Sequence, residues 1–500
     1  MQITSSFIIS FLEFMSVLFI FVVGLVILFI IILYSMDVRQ KKVAILRNYP
    51  VIGHFRYLFE HLGVFFRQYF FAMDREELPF NRAQRTWAYR ASKDENNTVA
   101  FGSTKDLRRT GSILFVNSPF PTLDEDAVHC MPMTIGADCA RPYTTDALIG
   151  ISAMSFGAIS KPAVEALSMG AKQAGIWLNT GEGGLSPCHL MGGCDIVMQI
   201  GTAKNGVSDC DGNLNDDLLR EMAAHEKVRL FELKLSQGAK PGKGGILPAS
   251  KVTAEIAKIR HIPEGKDAIS PNRHLDIASN DDLIDLINRI RDVTGKPVGF
   301  KAVISDGGWL DDLFSIIQER GIKSAPDFIT VDSADGGTGA APLALIDDMG
   351  LPLRESLPLL VDKLDEYGLR GRIRVIASGK LVTPADVAWA LCLGADFCVS
   401  ARGFMFAMGC IQALQCNKNT CPTGITTHDP DLQKGLVPES KKDNVAAYAK
   451  NLAYEVGTIA HSCGVKEPRK LRRHHARIVM DNSLSICLSQ LHPDKKVVVR

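Results

Sequence analysis

The chain has almost no charge imbalance: 56 lysines and arginines face 55 aspartates and glutamates, a formal charge of +1 at pH 7. A field that weak offers nothing to nucleic acid or acidic polymers, so no nucleic-acid partner is expected. Cysteine is thin as well. Twelve cysteines spread over 500 residues lack the density of a small disulfide-stapled domain, which points to a reducing compartment. No G-x-G-x-x-G follows an early strand candidate, which removes the main support for a dinucleotide-binding open sheet. Internal repeats and low-complexity tracts are missing too. What remains, 46% hydrophobic and 22% charged, is ordinary globular composition, long enough for one large domain plus additions.

Charge is wholly missing from residues 14–34, FMSVLFIFVVGLVILFIIILY, a run of 21 residues that can cross a bilayer as a helix and shows no polar face. The alternative is a cleaved signal peptide, but no basic stretch precedes the run and no small-x-small site follows it. A retained transmembrane anchor over residues 1–36 is therefore expected. Arg39, Lys41, Lys42 and Arg47 follow the run while only Glu13 precedes it, so the positive-inside rule makes this a single-pass cell-membrane protein with a cytoplasmic catalytic domain. Residues 37–140 read as a lead-in. Its aromatic and charged stretch 59–85 is expected to pack as a cap on the catalytic domain, with a membrane-surface shoulder as the second reading.

From about residue 141 to 430 short apolar runs ended by glycine alternate with helical patterns. Strand candidates are IGISAMS (149–155), GIWLNT (175–180), RLFELKL (229–235), PVGFKAV (297–303), DFITVDS (327–333), RIRVIAS (372–378) and ADFCVS (395–400). KPAVEALSMGAKQA, NDDLIDLINRIRDVT and PADVAWALCLG carry apolar residues at helix spacing between them. This alternation predicts an α/β fold, a (β/α)8 TIM barrel with its site at the C-terminal ends of the strands. Residues 431–500 are expected to form a charged helical tail, whose basic cluster RKLRRHHAR (469–477) reads as a solvated or carboxylate-facing surface. His474 and His475, being adjacent, point to different helix faces and predict no metal pair.

Three features carry chemistry. Cys410, Cys416 and Cys421 are separated by five and then four residues in CIQALQCNKNTCPTG. Close thiolates ending in Cys-Pro suit an iron–sulfur cluster, three of them a three-iron form; unrelated buried thiols are the plain alternative. Gly379 and the pair Arg402–Gly403 follow two late strands, where barrels commonly hold a phosphate such as that of FMN; tight turns would also explain the glycines. NTGEGGLSP (179–187), KLSQGAKPGKGG (234–245) and DSADGGTGAAP (332–342) are polar and each begins at a strand end. Lys234, Gln237, Lys240 and Lys301 would gather positive charge over the barrel mouth, suited to a dicarboxylate and a reduced flavin, while Glu182 suits an ammonium or imine nitrogen. Taken singly, each is more often a surface charge.

In their order, SAMSFGAIS, NTGEGG, QGAKPGKGG, LPASKV, DGGTGAAP and the three-cysteine run resemble the FMN-binding domain of glutamate synthase over about residues 152–427. The lead-in looks like the short membrane-associated branch of that family. The resemblance implies an oxidoreductase acting on CH–NH2 donors, with FMN and a 3Fe-4S cluster, that reduces 2-iminoglutarate, formed from 2-oxoglutarate and ammonia, to glutamate. Carried over by position, Cys410, Cys416 and Cys421 match the cluster ligands, and Gly379, Arg402 and Gly403 the flavin phosphate region. Ser152, Met154 and Ser155 fall where the first strand reaches the flavin. Glu182 matches the acidic residue of the substrate loop, Lys234 and Gln237 the flavin and substrate loop, and Lys301 a strand-end lysine near the flavin.

The departures from complete synthases are a hydrophobic helix where their N-terminal cysteine nucleophile stands, and no nicotinamide-binding half. Nitrogen is then expected as free ammonia, as an amine, or from a separate amidotransferase, and electrons from a ferredoxin or a separate reductase. Two other readings stand beside this one. Related proteins join methylamine to the glutamate skeleton, making N-methylglutamate, and a non-catalytic membrane electron-transfer subunit would keep the cofactors alone. Retention of Glu182, Lys234, Gln237 and Lys301 argues against the second.

Overall fold

A computed structural model describes residues 2–209 and 211–495; residue 1 of the expected anchor, Cys210, and residues 496–500 of the expected tail lie outside them. The chain divides into two compact units, Met1–Ala83 and Gln84–Arg500. In the first, one apolar helix runs Gln2–Arg39, and a second, Gly53–Phe66, continues into a π-helical turn, Arg67–Phe71. The first is long and apolar enough to cross a membrane. Aromatic residues of the second, such as Phe59 and Phe65, are exposed rather than packed.

The second unit is built on a closed barrel of eight parallel strands: β1 Ile149–Ile151, β2 Leu178–Asn179, β3 Ile196–Ile200, β4 Val228–Lys234, β5 Val298–Val303, β6 Phe328–Asp332, β7 Arg374–Ser378 and β8 Phe397–Ser400. Each pairs with its neighbour in sequence, and β8 closes onto β1 through Cys398 opposite Ile149. Seven of the eight coincide with the apolar runs read from sequence. β3 was missed because only the short helix Pro187–Met191 separates it from β2, too brief to give a helical pattern.

Local chemistry sets the helices between strands. Ser160 caps Lys161–Ala174 by accepting from Ala163 N, and Gly175, at φ +71°, ends it in the left-handed conformation. Ser279 and Asp282 form a capping box at the start of Asn280–Thr294, as do Thr383 and Asp386 at Pro384–Cys392.

Beyond Pro430 the chain is only partly helical. Helix Pro438–Ser462 packs on Lys161–Ala174, approaching so closely that a Cβ on Gly170 would lie 2.5 Å from Val445. Then strand Ala476–Val479 pairs with Ile113–Phe115 on one side and with Ser485–Cys487 on the other, so the segment before the barrel and the segment after it share one small sheet. The basic cluster is solvated only in part: Lys470, Arg472 and His474 are exposed, while Arg469 and Arg473 are buried. Arg469 is buried and donates to the carbonyls of Asp396 (2.8 Å), Met131 (2.6 Å) and Ala147 (2.7 Å), stacking over Phe397 at the N-terminal end of the barrel. Arg473 does face a carboxylate, Asp362. His474 and His475 lie in a single 3-10 turn with ring centroids 3.9 Å apart, not on opposite helix faces.

Trp177 sets a packing limit. It is buried against Phe397, and a Cβ on Gly150 would sit 2.2 Å from its indole ring. Gly150→Ala should therefore destabilise the protein by about 1–3 kcal/mol through overpacking. Denaturant unfolding that leaves the midpoint unchanged would contradict this.

Candidate functional site

In strands, residues two apart share a face, so Glu232 and Lys234 on β4 both point into the barrel while Phe231 and Leu233 point out. Glu232 is buried and accepts from Asn179 Nδ2 (2.8 Å), Gln199 Nε2 (2.7 Å) and Thr330 Oγ1 (2.5 Å), one donor from each of β2, β3 and β6. Neutral donors thus satisfy a carboxylate deep in the barrel. Nearer the mouth, Lys301 on β5 pairs with Asp332 on β6 at 3.1 Å, and Asp332 also accepts from Gly238 N and Ser378 Oγ. Lys234 stands directly opposite Lys301 in the β4–β5 register. Two ammoniums so placed would repel. They turn apart instead: Lys301 leans toward β6, and Lys234 toward the loop after β2, where its Nζ lies 2.9 Å from Glu182 Oε2 and also bonds Gln237 Oε1.

Glu182 sits between two glycines. A Cβ on Gly245 would come within 2.5 Å of its Oε1, and one on Gly201 within 2.6 Å of its own Cβ. Burial alone would raise its pKa, but Lys234, Lys240 and Arg260 outweigh that and hold the carboxyl below its usual value. For Lys301 burial acts to lower the pKa, and Asp332, then Glu232 and Glu182, reverse the sign and keep it raised. Lys240 is rescued only in part. It is 4% exposed and makes no ion pair among the described residues; burial and then Lys234 outweigh the opposing pull of Glu182 and bring it down to about 8.

Ser152, Met154 and Ser155 follow β1, with Ser152 N bonded to Ser400 O and Ser155 Oγ accepting from Arg260. Gly379 and Gly403 follow the adjacent strands β7 and β8. Gly379 has φ +145°, open to glycine, and its Cβ would strike Ser333 Oγ at 2.2 Å. Arg402 donates to Thr338 O at 2.7 Å and lies 3.9 Å from Cys416 Sγ.

The structure brings Glu182, Lys234, Gln237 and Lys301 to one mouth and gathers the cysteines on a neighbouring loop. Cys410 is pushed up by burial, pulled down by Arg402 and pushed up again by Cys416 and Cys421, so the three thiols share one electrostatic neighbourhood. For Cys421 burial acts upward, yet hydrogen bonds from Thr423 and Thr426 leave it lowered. Lys251 is buried beneath them and donates to Cys416 O (2.7 Å), Thr426 O (2.6 Å) and Ala158 O (3.3 Å). Among the described residues no three His, Cys, Asp or Glu converge as a single ion requires. Three thiols flanked by Arg402 and Lys251 instead suit a polynuclear anionic centre that takes one thiolate per metal atom.

The mouth suits a polar, anionic guest. Beside the buried Lys240, Nε of Arg260 and Nδ1 of His274 are buried without a hydrogen-bond partner. His274 donates through Nε2 to Lys234 O at 3.0 Å, and burial lowers it to about 4, so it stays neutral. Sequence reading missed Glu232, Asp332, Arg260, Lys251 and His274. A charge inside an apolar strand, as in RLFELKL, was the available signal for the first; the lysine and histidine come from the long connection after β4, and the arginine ends the short helix Ala254–Arg260 within it.

A family model described as a conserved region in glutamate synthase matches residues 106–466. The glutamate synthase large subunit-like protein YerD of Bacillus subtilis (strain 168) is 38% identical, covering 91% of this chain and 94% of its own length. The archaeal glutamate synthase [NADPH] of Methanocaldococcus jannaschii is 36% identical over 67% of this chain, which spans 62% of that relative's length. A structure of mandelate oxidase with (S)-4-hydroxymandelic acid superposes at TM-score 0.48 and 17% identity, covering 79% of this chain and 98% of the other.

The isolated Lys240 ammonium gives a pH test. Its folded pKa, about 8, lies below the ordinary 10.5, so the folded state is disfavoured while the amine is charged and recovers as pH rises from 8 to 10.5. Lys240→Met should therefore raise stability at pH 7, by on the order of 3 kcal/mol at most. The gain should shrink across that window. A gain that is independent of pH, or a loss at pH 7, would count against the assignment.

Proposed function

Because this chain belongs to the glutamate synthase family, we propose that it makes glutamate by reducing 2-iminoglutarate, formed from 2-oxoglutarate and ammonia, using FMN and a 3Fe-4S cluster. It is an oxidoreductase of the glutamate synthase kind. The observation that carries the finer reading is the charge gathered at the mouth: Glu182 held ionised by Lys234, Lys240 and Arg260, and Lys240 buried near it without an ion pair among the described residues.

FMN, when bound, supplies hydride transfer to an imine carbon, and the cluster supplies single-electron relay. Ser152, Met154 and Ser155 after β1, with Gly379, Arg402 and Gly403 after β7 and β8, are the residues that would hold the flavin. Cys410, Cys416 and Cys421 would hold the cluster. Lys240, with Lys234 and Gln237 beside it, is suited to fix the carboxylates of a five-carbon dicarboxylate, because a buried ammonium gains most from an anion brought into the same low-dielectric space. Glu182 is suited to the nitrogen end, where its negative charge favours an ammonium or protonated imine over the neutral forms. Lys301 stays charged through Asp332 and can stabilise negative charge that develops at the flavin. His274 fixes the backbone carbonyl from which Lys234 extends.

The apolar helix Gln2–Arg39 supports anchoring in the cell membrane, and Arg39, Lys41, Lys42 and Arg47 support a cytoplasmic catalytic unit. A ferredoxin or a separate reductase would then deliver electrons, and free ammonia or a separate amidotransferase the nitrogen.

The test is anaerobic reoxidation of the reduced protein by 2-oxoglutarate with ammonia, methylamine or glutamine in turn. Ammonia should give glutamate. Turnover with methylamine alone would replace the proposal with N-methylglutamate formation, and none with any donor would remove it. Glu182→Gln should keep flavin absorbance while lowering turnover by roughly 10²–10³-fold, as removal of one fixed charge at a reacting centre does. Cys416→Ser should lose most of the iron; full iron occupancy in that variant would exclude the cluster assignment.

A further inference from the structure

We propose that helix Gly53–Phe66 and the turn Arg67–Phe71 lie in the headgroup layer of an anionic lipid bilayer, set at that depth by contact between His54 and Asp37. The proposal rests on the reading of the N-terminal helix as a membrane span.

Asp37 belongs to the last turn of the helix Gln2–Arg39, three residues beyond Tyr34, where the uncharged run ends. Three residues of helix rise about 4.5 Å, so Asp37 stands at the level where hydrocarbon gives way to headgroups. Its carboxylate is buried, and both oxygens meet His54 Nε2, at 2.9 and 3.0 Å, while Val51 N donates to Oδ2 at 2.8 Å. The second helix therefore starts at the same level. Its 14 residues and the π-turn expose Phe55, Phe59, Phe65, Phe66, Phe70 and Phe71, with Phe59 65% and Phe71 74% accessible. Phe55 neighbours Phe59 with ring centroids at 6.3 Å, and Phe66 neighbours Phe70 at 5.5 Å, so the rings form a stripe rather than scattered singles. An exposed apolar stripe of this extent calls for a partner.

Lipid is the partner that charge and continuity favour. The stripe begins where a helix ends that is wholly exposed along its apolar length. Arg39, Lys41, Lys42, Arg47, Arg56 and Arg67 accompany it, against Glu60 and the already paired Asp37. Aromatic rings with basic neighbours are the composition of an interfacial helix on anionic headgroups.

The experiment uses the full chain in lipid nanodiscs, with a fluorescent amino acid introduced by stop-codon suppression at position 59, 66 or 70. Position 25, inside the apolar run, and position 454, exposed on a helix of the second unit, serve as references. Brominated phosphatidylglycerol should quench 25, 59, 66 and 70 and leave 454 unaffected, with shallow bromines most effective at 59. Quenching at 25 without quenching at 59, 66 and 70 overturns the proposal and leaves the span intact. No quenching at 25 removes the span as well, without touching the oxidoreductase assignment. Equal quenching by phosphatidylcholine overturns the anionic preference, and photo-crosslinking of position 59 to protein instead of lipid assigns the stripe to a protein partner. His54→Ala should abolish most of the quenching at 59 while keeping that at 25; retention at 59 overturns the role of the Asp37 contact.

Discussion

A barrel mouth lined with charge instead of hydrocarbon has to neutralise each charge without water, and the rest of the second unit is arranged around that constraint. An unpaired ion in the interior is expensive enough that it would rather lose or gain a proton than stay charged. Lys301 and Lys234 face one another across β4 and β5, yet both can remain ammonium because their carboxylates lie in opposite directions, Asp332 on β6 and Glu182 after β2. Asp332 and Glu182 are held in turn by backbone, the first through Gly238 N, the second between Gly201 and Gly245. Glu232 lies below them and takes its hydrogen bonds from amides and a hydroxyl, so it supports the charge on Lys301 without drawing that lysine away from Asp332.

The glycines of the sequence motifs gain a common explanation from this. In NTGEGG and QGAKPGKGG most of the residues without a Cβ are where one loop presses on another loop; Gly242, with open space around it and φ +76°, is there for its left-handed turn. Gly181 would strike Ser155 N at 2.6 Å and Gly238 would strike Ser333 O at 2.0 Å if either carried a side chain. Loops after β1, β2, β4 and β6 are thereby packed backbone to backbone, and the charged side chains between them have little freedom to swing.

Strand periodicity and motif order made the barrel and most of the mouth legible before any coordinates. Runs such as VGFKAV and FITVD are short, β-branched and bounded by glycine or polar residues, and Lys234 and Lys301 announced themselves as single lysines in apolar context. Legibility failed where a contact depends on chain segments far apart in sequence. Arg469 reads as one of several bases in a basic run, and only folding brings it to the carbonyls of residues 131, 147 and 396. Lys251, in LPASKV, has no periodic neighbours at all; its role comes from carbonyls 93 to 175 residues away. Composition alone does not say whether the phenylalanines of the stretch before the barrel are buried within their own unit; those at 55–71 are exposed.

Two cations, the buried Lys251 and the half-buried Arg402, tie the cysteine loop to the mouth, and their geometry constrains what that loop can do. Lys251 leaves the long loop after β4 and grips Cys416 O and Thr426 O on one side and Ala158 O, after β1, on the other. Arg402, after β8, reaches Thr338 O after β6 and approaches Cys416 Sγ. Cys416 is thus addressed through its carbonyl by one cation and through its sulfur by the other. Backbone hydrogen bonds from a charged donor are stronger than neutral ones and lose more when broken in a buried setting. The middle cysteine is therefore fixed relative to four strand ends. Any centre carried by Cys410, Cys416 and Cys421 inherits a set distance to the mouth and two positive charges beside its sulfurs, which favours an anionic occupant over a neutral one.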